Sequence, residues 1–157
     1  MALVAVIGAD ALAARFANTP ARMRLLLAAM DAHTGLIWGA VVPFTPVGVT
    51  SLLRGAWHSE VVATAGSVIG IVGNPLLYAE VIERGRRPGA PMPPPDALRT
   101  WVERKMGPEV SAFVVARSIG RKGIEGRQML RKAVTLTTPP AQRLWAGVVS
   151  RLLENSG

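Results

Sequence analysis

Between residues 20 and 42, apolar side chains recur three and four positions apart: Met23, Leu26, Leu27, Met30, Ile37 and Val41. This spacing places them on one face of a helix and predicts a long amphipathic helix. Thr19 offers an N-cap oxygen, Pro20 suits the first helical position, and Pro43 and Pro46 end the run. Ahead of it, ALVAVI (residues 2–7) reads as a short strand, and Asp10 can cap a short helix to about Phe16. After it the pattern changes. Trp57, Val61 and Val62, then Val68, Ile69, Ile71 and Val72, are strand-type residues, with TAG (64–66) between them as a turn. The expectation is an antiparallel hairpin, 55–63 paired with 67–73.

The second half reads as helices. A short helical turn over LLYAEVIERG stops at Gly85. Residues 84–95 hold five prolines and two glycines, which rules out a regular helix or a central strand there. This predicts a basic surface excursion or arm within a single domain spanning 1–157. Asp96 caps a helix with Leu98, Trp101, Val102 and Met106 on one face, ended by Gly107. Another starts at Pro108 and ends at Gly123. A short helix spans about 127–136, and a last one starts at Thr138 and Pro139, with Leu144, Val148, Val149 and Leu152 as its apolar face. The fold class that follows is α+β: a small antiparallel sheet (hairpin plus N-terminal strand) packed with a long N-terminal helix and C-terminal helices.

Composition adds charge to this outline. Formal net charge is +8, and residues 84–132 hold 12 of the 18 Lys and Arg. Such a surface favours anionic partners: nucleic acid, an acidic protein or an anionic membrane. Cysteine is absent, so disulfides and thiolate metal sites are excluded. His33 and His58 are too few and too far apart for a metal site. The N-terminus lacks the basic n-region of a signal peptide. The most apolar stretch, 25–42, is interrupted by Asp31 and His33, and no membrane span is expected.

Motifs for chemistry are sparse. ARSIGRKGIEGRQMLRKA (116–133) carries six basic side chains and three glycines spaced by three. Its IGRKG resembles the GxxG loop with which KH domains grip a nucleic-acid backbone, glycines admitting phosphates and Arg121 and Lys122 supplying charge. A basic nucleic-acid-binding module over 117–132 is therefore one reading; a helix C-cap at Gly123 is the simpler one. Gly66, Gly70 and Gly73 lack dinucleotide-fingerprint spacing, and no phosphate loop follows. Glu80 and Glu83 lie one helical turn apart, as on a solvated or intersubunit salt-bridging face. Ser51, Ser59 and His58 sit in no nucleophile elbow. Neither enzyme chemistry nor a cofactor is expected. The four tryptophans are scattered, as core packing would have them.

Three segments in order do resemble a family. TPVGVTSLLRGAW (45–57), NPLLYAEVIERG (74–85) and SIGRKGIEGRQMLRKA (118–133) are similar to the tail-completion, or neck, proteins of long-tailed bacteriophages. In that family a long N-terminal helix leads to P-V-x-T-G-x-L-R-x-S, then Y-A-x-x-V/I-E-x-G, then G-x-x-x-R-P-F-L/M-x-x-A. Pro46, Val47, Thr50, Leu53 and Arg54 match the first motif, with Ser51 where glycine is usual. Tyr78, Ala79, Ile82, Glu83 and Gly85 match the second. Gly123, Arg127, Leu130 and Ala133 match the third, with Gln128 and Met129 in place of Pro-Phe. Residues 85–107 resemble an insertion found in a longer subgroup.

The resemblance implies a structural virion protein, assembled in the host cytoplasm into a homo-oligomeric, hexameric ring. Its partners would be further copies of itself and the tail terminator, tail tube or head-completion proteins, with DNA passing through the lumen. Candidate interface and structural residues are Pro46, Leu53, Arg54, Tyr78, Glu83, Arg86, Arg87, Arg121, Lys122, Arg127 and Arg131. An Arg54–Glu83 pair is the expected charge-assisted link.

Overall fold

A computed structural model describes residues 3–8, 20–64 and 67–154. The helix expected over 10–16 and most of the hairpin turn, Ala65 and Gly66, lie outside the described residues. Strand β1 (Leu3–Gly8) pairs antiparallel with β3 (Ser67–Asn74), which also pairs with β2 (His58–Thr64), giving the order β1-β3-β2. Helix α1 (Pro20–Phe44) packs on this sheet and along α6 (Met129–Glu154). Between them come α2 (Leu52–Gly55), α3 (Ala79–Arg84), β4 (Gly85–Arg86), α4 (Pro95–Met106), α5 (Ala112–Lys122) and β5 (Ile124–Glu125). The architecture is α+β, as the periodicities predict.

The apolar stripe read from the sequence is the buried face of α1. Leu26, Met30, Ile37 and Val41 are all buried, joined by Ala29 and Thr34. On β3 the alternate residues Val68, Gly70 and Val72 meet that stripe. A Cβ on Gly70 would lie 2.4 Å from Thr34 Cγ2 and 2.8 Å from Met30 Sδ, so helix and sheet touch there without a side chain between them. The core has two parts. Leu26, Ala29, Met30 and Val68 pack with Val148 and Leu152 near the end of α6. Ile37, Val41 and Val72 pack with Leu53, Trp57, Ala79, Met129, Leu130 and Ala133. The start of α1 thus meets the end of α6, and the two helices are antiparallel. By length and composition α1 could cross a membrane, with mean hydropathy 1.6 over 18 residues. Asp31 and His33 do not lower it enough to exclude this. Here one side of α1 is covered by the sheet and α6.

One contact between these helices is titratable. Trp145 Nε1 donates to His33 Nδ1 at 3.1 Å, with the rings edge to face. The bond requires a bare Nδ1, so the neutral ring carries its proton on Nε2. Burial holds the His33 pKa below its ordinary 6.5. The unfolded chain therefore binds the proton more tightly. Stability tied to neutral His33 is complete above 6.5 and is lost as pH falls through 6.5 towards the lower folded value. Urea titrations at a series of pH values are expected to show this loss in the wild type and a flatter profile in His33→Gln.

Some boundaries differ from expectation. The helices expected at 127–136 and from Thr138 are one continuous α6, running through Pro139 and Pro140. Each proline removes the helical donor of the carbonyl four residues back, on Thr135 and Leu136. Both of those residues are exposed, while Ala133, Thr137 and Ala141 on the other side are buried. Hydroxyls of Thr135, Thr137 and Thr138 bond back to the carbonyls of Arg131, Ala133 and Val134. Packing on α1 holds the helix across the prolines, and water can take the orphaned carbonyls. Further upstream, α4 starts at Pro95 with Asp96 inside its first turn, paired to Arg99 rather than capping. Helix α5 starts at Ala112, not Pro108.

Candidate functional site

The three segments that carry the resemblance meet in one place. Where α1 ends, Thr45 is fully buried, its Oγ1 donating to the Val41 carbonyl and accepting from Trp57 Nε1, each at 2.8 Å. Arg54 Nε and Nη2 both donate to the Thr45 carbonyl, at 3.1 and 2.9 Å. Trp38 Nε1 reaches the Trp57 carbonyl. Asn74, also buried, donates from Nδ2 to the Leu53 carbonyl at 2.8 Å and accepts from the Leu76 N–H. Leu53 and Trp57 fill the core beneath this network, and Pro46 is half-buried beside it in the chain. Ser51, where the family motif has glycine, has φ 56, a left-handed value that glycine adopts at least cost. Tyr78 lies at the start of α3, close to half exposed, with its hydroxyl pKa raised by partial burial.

Glu83 is buried, and it caps a helix distant in sequence. Its Oε2 accepts from the Leu130 N–H at 3.0 Å and its Oε1 from the Arg131 N–H at 3.1 Å. Arg127 and Gln128 N–H groups donate to the carbonyls of Ile82 and Glu83. Gln128, just before α6, stands at φ 53 and offers none of the short capping side chains. The carboxylate of α3 supplies the cap instead and also complements the helix dipole.

The expected Arg54–Glu83 pair is therefore not formed, because each side chain is satisfied by backbone groups elsewhere. Nor do Glu80 and Glu83 share a solvated face: Glu80 pairs with Arg84 one turn on, while Glu83 points inward. With separate partners, Arg54→Ala and Glu83→Ala are expected to add within about 0.5 kcal/mol in a double-mutant cycle.

The proline-rich segment and the glycine-spaced segment cross at a two-stranded ribbon. Gly85 pairs with Glu125, and Arg86 with Ile124. Gly85 closes α3 and Gly123 closes α5, with φ/ψ of 78/−170 and 76/−170, a region essentially reserved for glycine. Each N–H bonds back into its helix, to Val81 and Ile119 carbonyls. Gly120 and Gly123 of IGRKG thus form no helix–loop–helix corner. Gly120 lies within α5 against Met92, accepting from the Gly89 N–H, and Gly123 leads into a strand. Residues 84–95 are tied down by these contacts and by a bond from Arg86 Nη2 to the Pro91 carbonyl.

Beyond the ribbon, α4 and α5 form a helical pair. Its only buried members are Val102, Ala116 and Gly120, while Trp101, Met106, Phe113 and Val114 are exposed. Basic residues flank the ribbon in the chain: Arg87 follows β4, Arg121 and Lys122 end α5, and Arg127 and Arg131 lie around the start of α6. Arg87, Arg121, Lys122, Arg127 and Arg131 are exposed and, among the described residues, make no ion pair. The charge could be read directly from the sequence. The cap could not, because Glu83 lies 47 and 48 residues from the amides it accepts. Among the described residues, no group of three His, Cys, Asp or Glu is placed to hold a metal. Comparison with protein-family models, curated proteins and solved structures finds no match to this chain.

Proposed function

We propose that this chain is a structural protein of the neck of a long-tailed bacteriophage, a tail-completion component forming a homo-oligomeric ring, six-fold, between tail and head connector. Its partners are then further copies of itself and the tail terminator, tail tube or head-completion proteins, with DNA passing through the lumen. It resides in the virion, assembles in the host cytoplasm and performs no chemistry.

The observation that carries this reading is the convergence of the three motif segments on one buried hub. Leu53 and Trp57, Ala79, and Met129, Leu130 and Ala133 share a core. Arg54 and Glu83, both motif residues, hold backbone in place: Arg54 the Thr45 carbonyl just past α1, within its own segment, and Glu83 the first-turn amides of α6 in another. Residues that hold a shape, rather than line a cleft, suit a scaffold. Ser51 in the left-handed region at the motif's glycine position also supports it. Gln128 departs from the pattern, since a proline ring cannot adopt φ 53. The start of α6 is therefore built differently from the family's.

Ring closure needs a heterologous surface on each copy. The α4–α5 pair offers one, because its exposed apolar residues outnumber those it buries. Native mass spectrometry and negative-stain microscopy of the purified chain, alone and with tail tubes, test this. Closed rings that Phe113→Glu and Val114→Glu disperse are expected. A chain that stays monomeric in both conditions and binds nucleic acid tightly would sink the reading.

A further inference from the structure

A groove of about 440 Å³ opens beside the start of α6, lined by Phe44, Gln128, Arg131, Lys132, Thr135 and Leu136. Two of its six lining residues are large and apolar, and both are open to solvent: Phe44 is 40% and Leu136 61% exposed. Its rim is cationic. Arg131 and Lys132 are exposed and, among the described residues, make no ion pair. Amides around the start of α6 are already engaged: Glu83 takes those of Leu130 and Arg131, and just before the helix the carbonyls of Ile82 and Glu83 take those of Arg127 and Gln128. An anion arriving here would meet side-chain cations, not a free helix end.

We propose that this groove receives an acidic protein segment carrying a large apolar side chain. The apolar residue would sit between Phe44 and Leu136, with carboxylates reaching Arg131, Lys132 and nearby Arg127. Charge decides against a second copy as the occupant. Residues 84–132 hold twelve of the eighteen basic and four of the ten acidic side chains, hence the whole net excess of eight. The rest of the chain, with six basic and six acidic side chains, brings no net negative charge to match it. The two exposed apolar side chains decide against nucleic acid, whose phosphates would engage the cations and leave Phe44 and Leu136 uncovered. The inference holds whether the chain is a ring or a monomer.

Fluorescence anisotropy with the full chain tests it. The probes are two labelled acidic peptides of equal length and charge, one with a central Leu-Phe pair and one with Ser at both positions, and single- and double-stranded DNA of similar length. Burying an apolar anchor is expected to make the Leu-Phe peptide bind roughly tenfold or more tighter than its Ser counterpart. Leu136→Ser should erase that difference. Arg131→Glu with Lys132→Glu should weaken both peptides. These side chains are exposed, and unchanged thermal unfolding would confirm intact folding; if Leu136→Ser unfolds, Phe44→Ser takes its place. Equal binding of the two peptides, no effect of the groove variants, or tighter binding of DNA than of the Leu-Phe peptide overturns the proposal. A ring that binds neither peptide would overturn the groove alone, and a monomer that binds the Leu-Phe peptide would overturn the ring alone.

Discussion

Gly85→Ala is expected to destabilise the protein by about 4 kcal/mol or more, a large part of a typical domain's 5–15 kcal/mol. Two effects add. A φ/ψ of 78/−170 costs a residue with a Cβ about 1–3 kcal/mol. The new Cβ would also stand 2.4 Å from the Ile124 carbonyl oxygen and 2.6 Å from the Gly126 nitrogen. Both are backbone atoms that no rotamer change can move, so the β4–β5 ribbon must open. Opening it loses the Gly85–Glu125 and Arg86–Ile124 pairing and loosens the C-cap of α3. Gly123→Ala meets the Arg86 carbonyl at 2.3 Å from the other side and should behave alike. Gly89→Ala is the control: φ is +77, but nothing lies within 4 Å of the added Cβ, so a loss of only about 1 kcal/mol is expected. Urea unfolding of the three variants separates collision from conformation. If Gly85→Ala costs no more than Gly89→Ala, the ribbon is not closed as described.

What could be read from the sequence was what repeats locally. The α1 stripe from Leu26 to Val41 and the hairpin residues announce their period, and both elements formed close to their expected bounds. What could not be read depends on partners distant in sequence. Pro139 and Pro140 argue locally for a break, but α1 covers one side of α6 and water the other, so the break is not forced. Arg54 and Glu83 are the right types for a charge pair, and nothing nearby in sequence reveals that backbone groups satisfy both. The charge of 116–133 was plain, but its setting at a ribbon where two chain passes touch was not. The glycines of IGRKG serve that contact, so charge and glycine spacing have separate causes there.

Glu83→Ala should cost about 3 kcal/mol, chiefly by uncapping α6. The carboxylate accepts two backbone N–H groups that have no helical acceptor of their own. Bonds to a charged acceptor contribute about 1.5–3 kcal/mol each, less what the unfolded chain regains from water. Three variants separate bonding from packing. Glu83→Gln keeps the shape and one good acceptor and should cost about half as much, on the order of 1–2 kcal/mol. Glu83→Met fills the volume but accepts nothing, so it should resemble alanine if the cap dominates and wild type if packing does. Glu83→Asp is one methylene short and should not reach both amides. Hydrogen exchange gives the local readout, with the Leu130 and Arg131 amides losing protection in Glu83→Ala before the middle of α6 does. Loss of the cap should also unsettle Arg131 and Lys132, the cations at the groove rim. A Glu83→Met variant as stable as the wild type, with those two amides still protected, would show that some other group closes the start of α6.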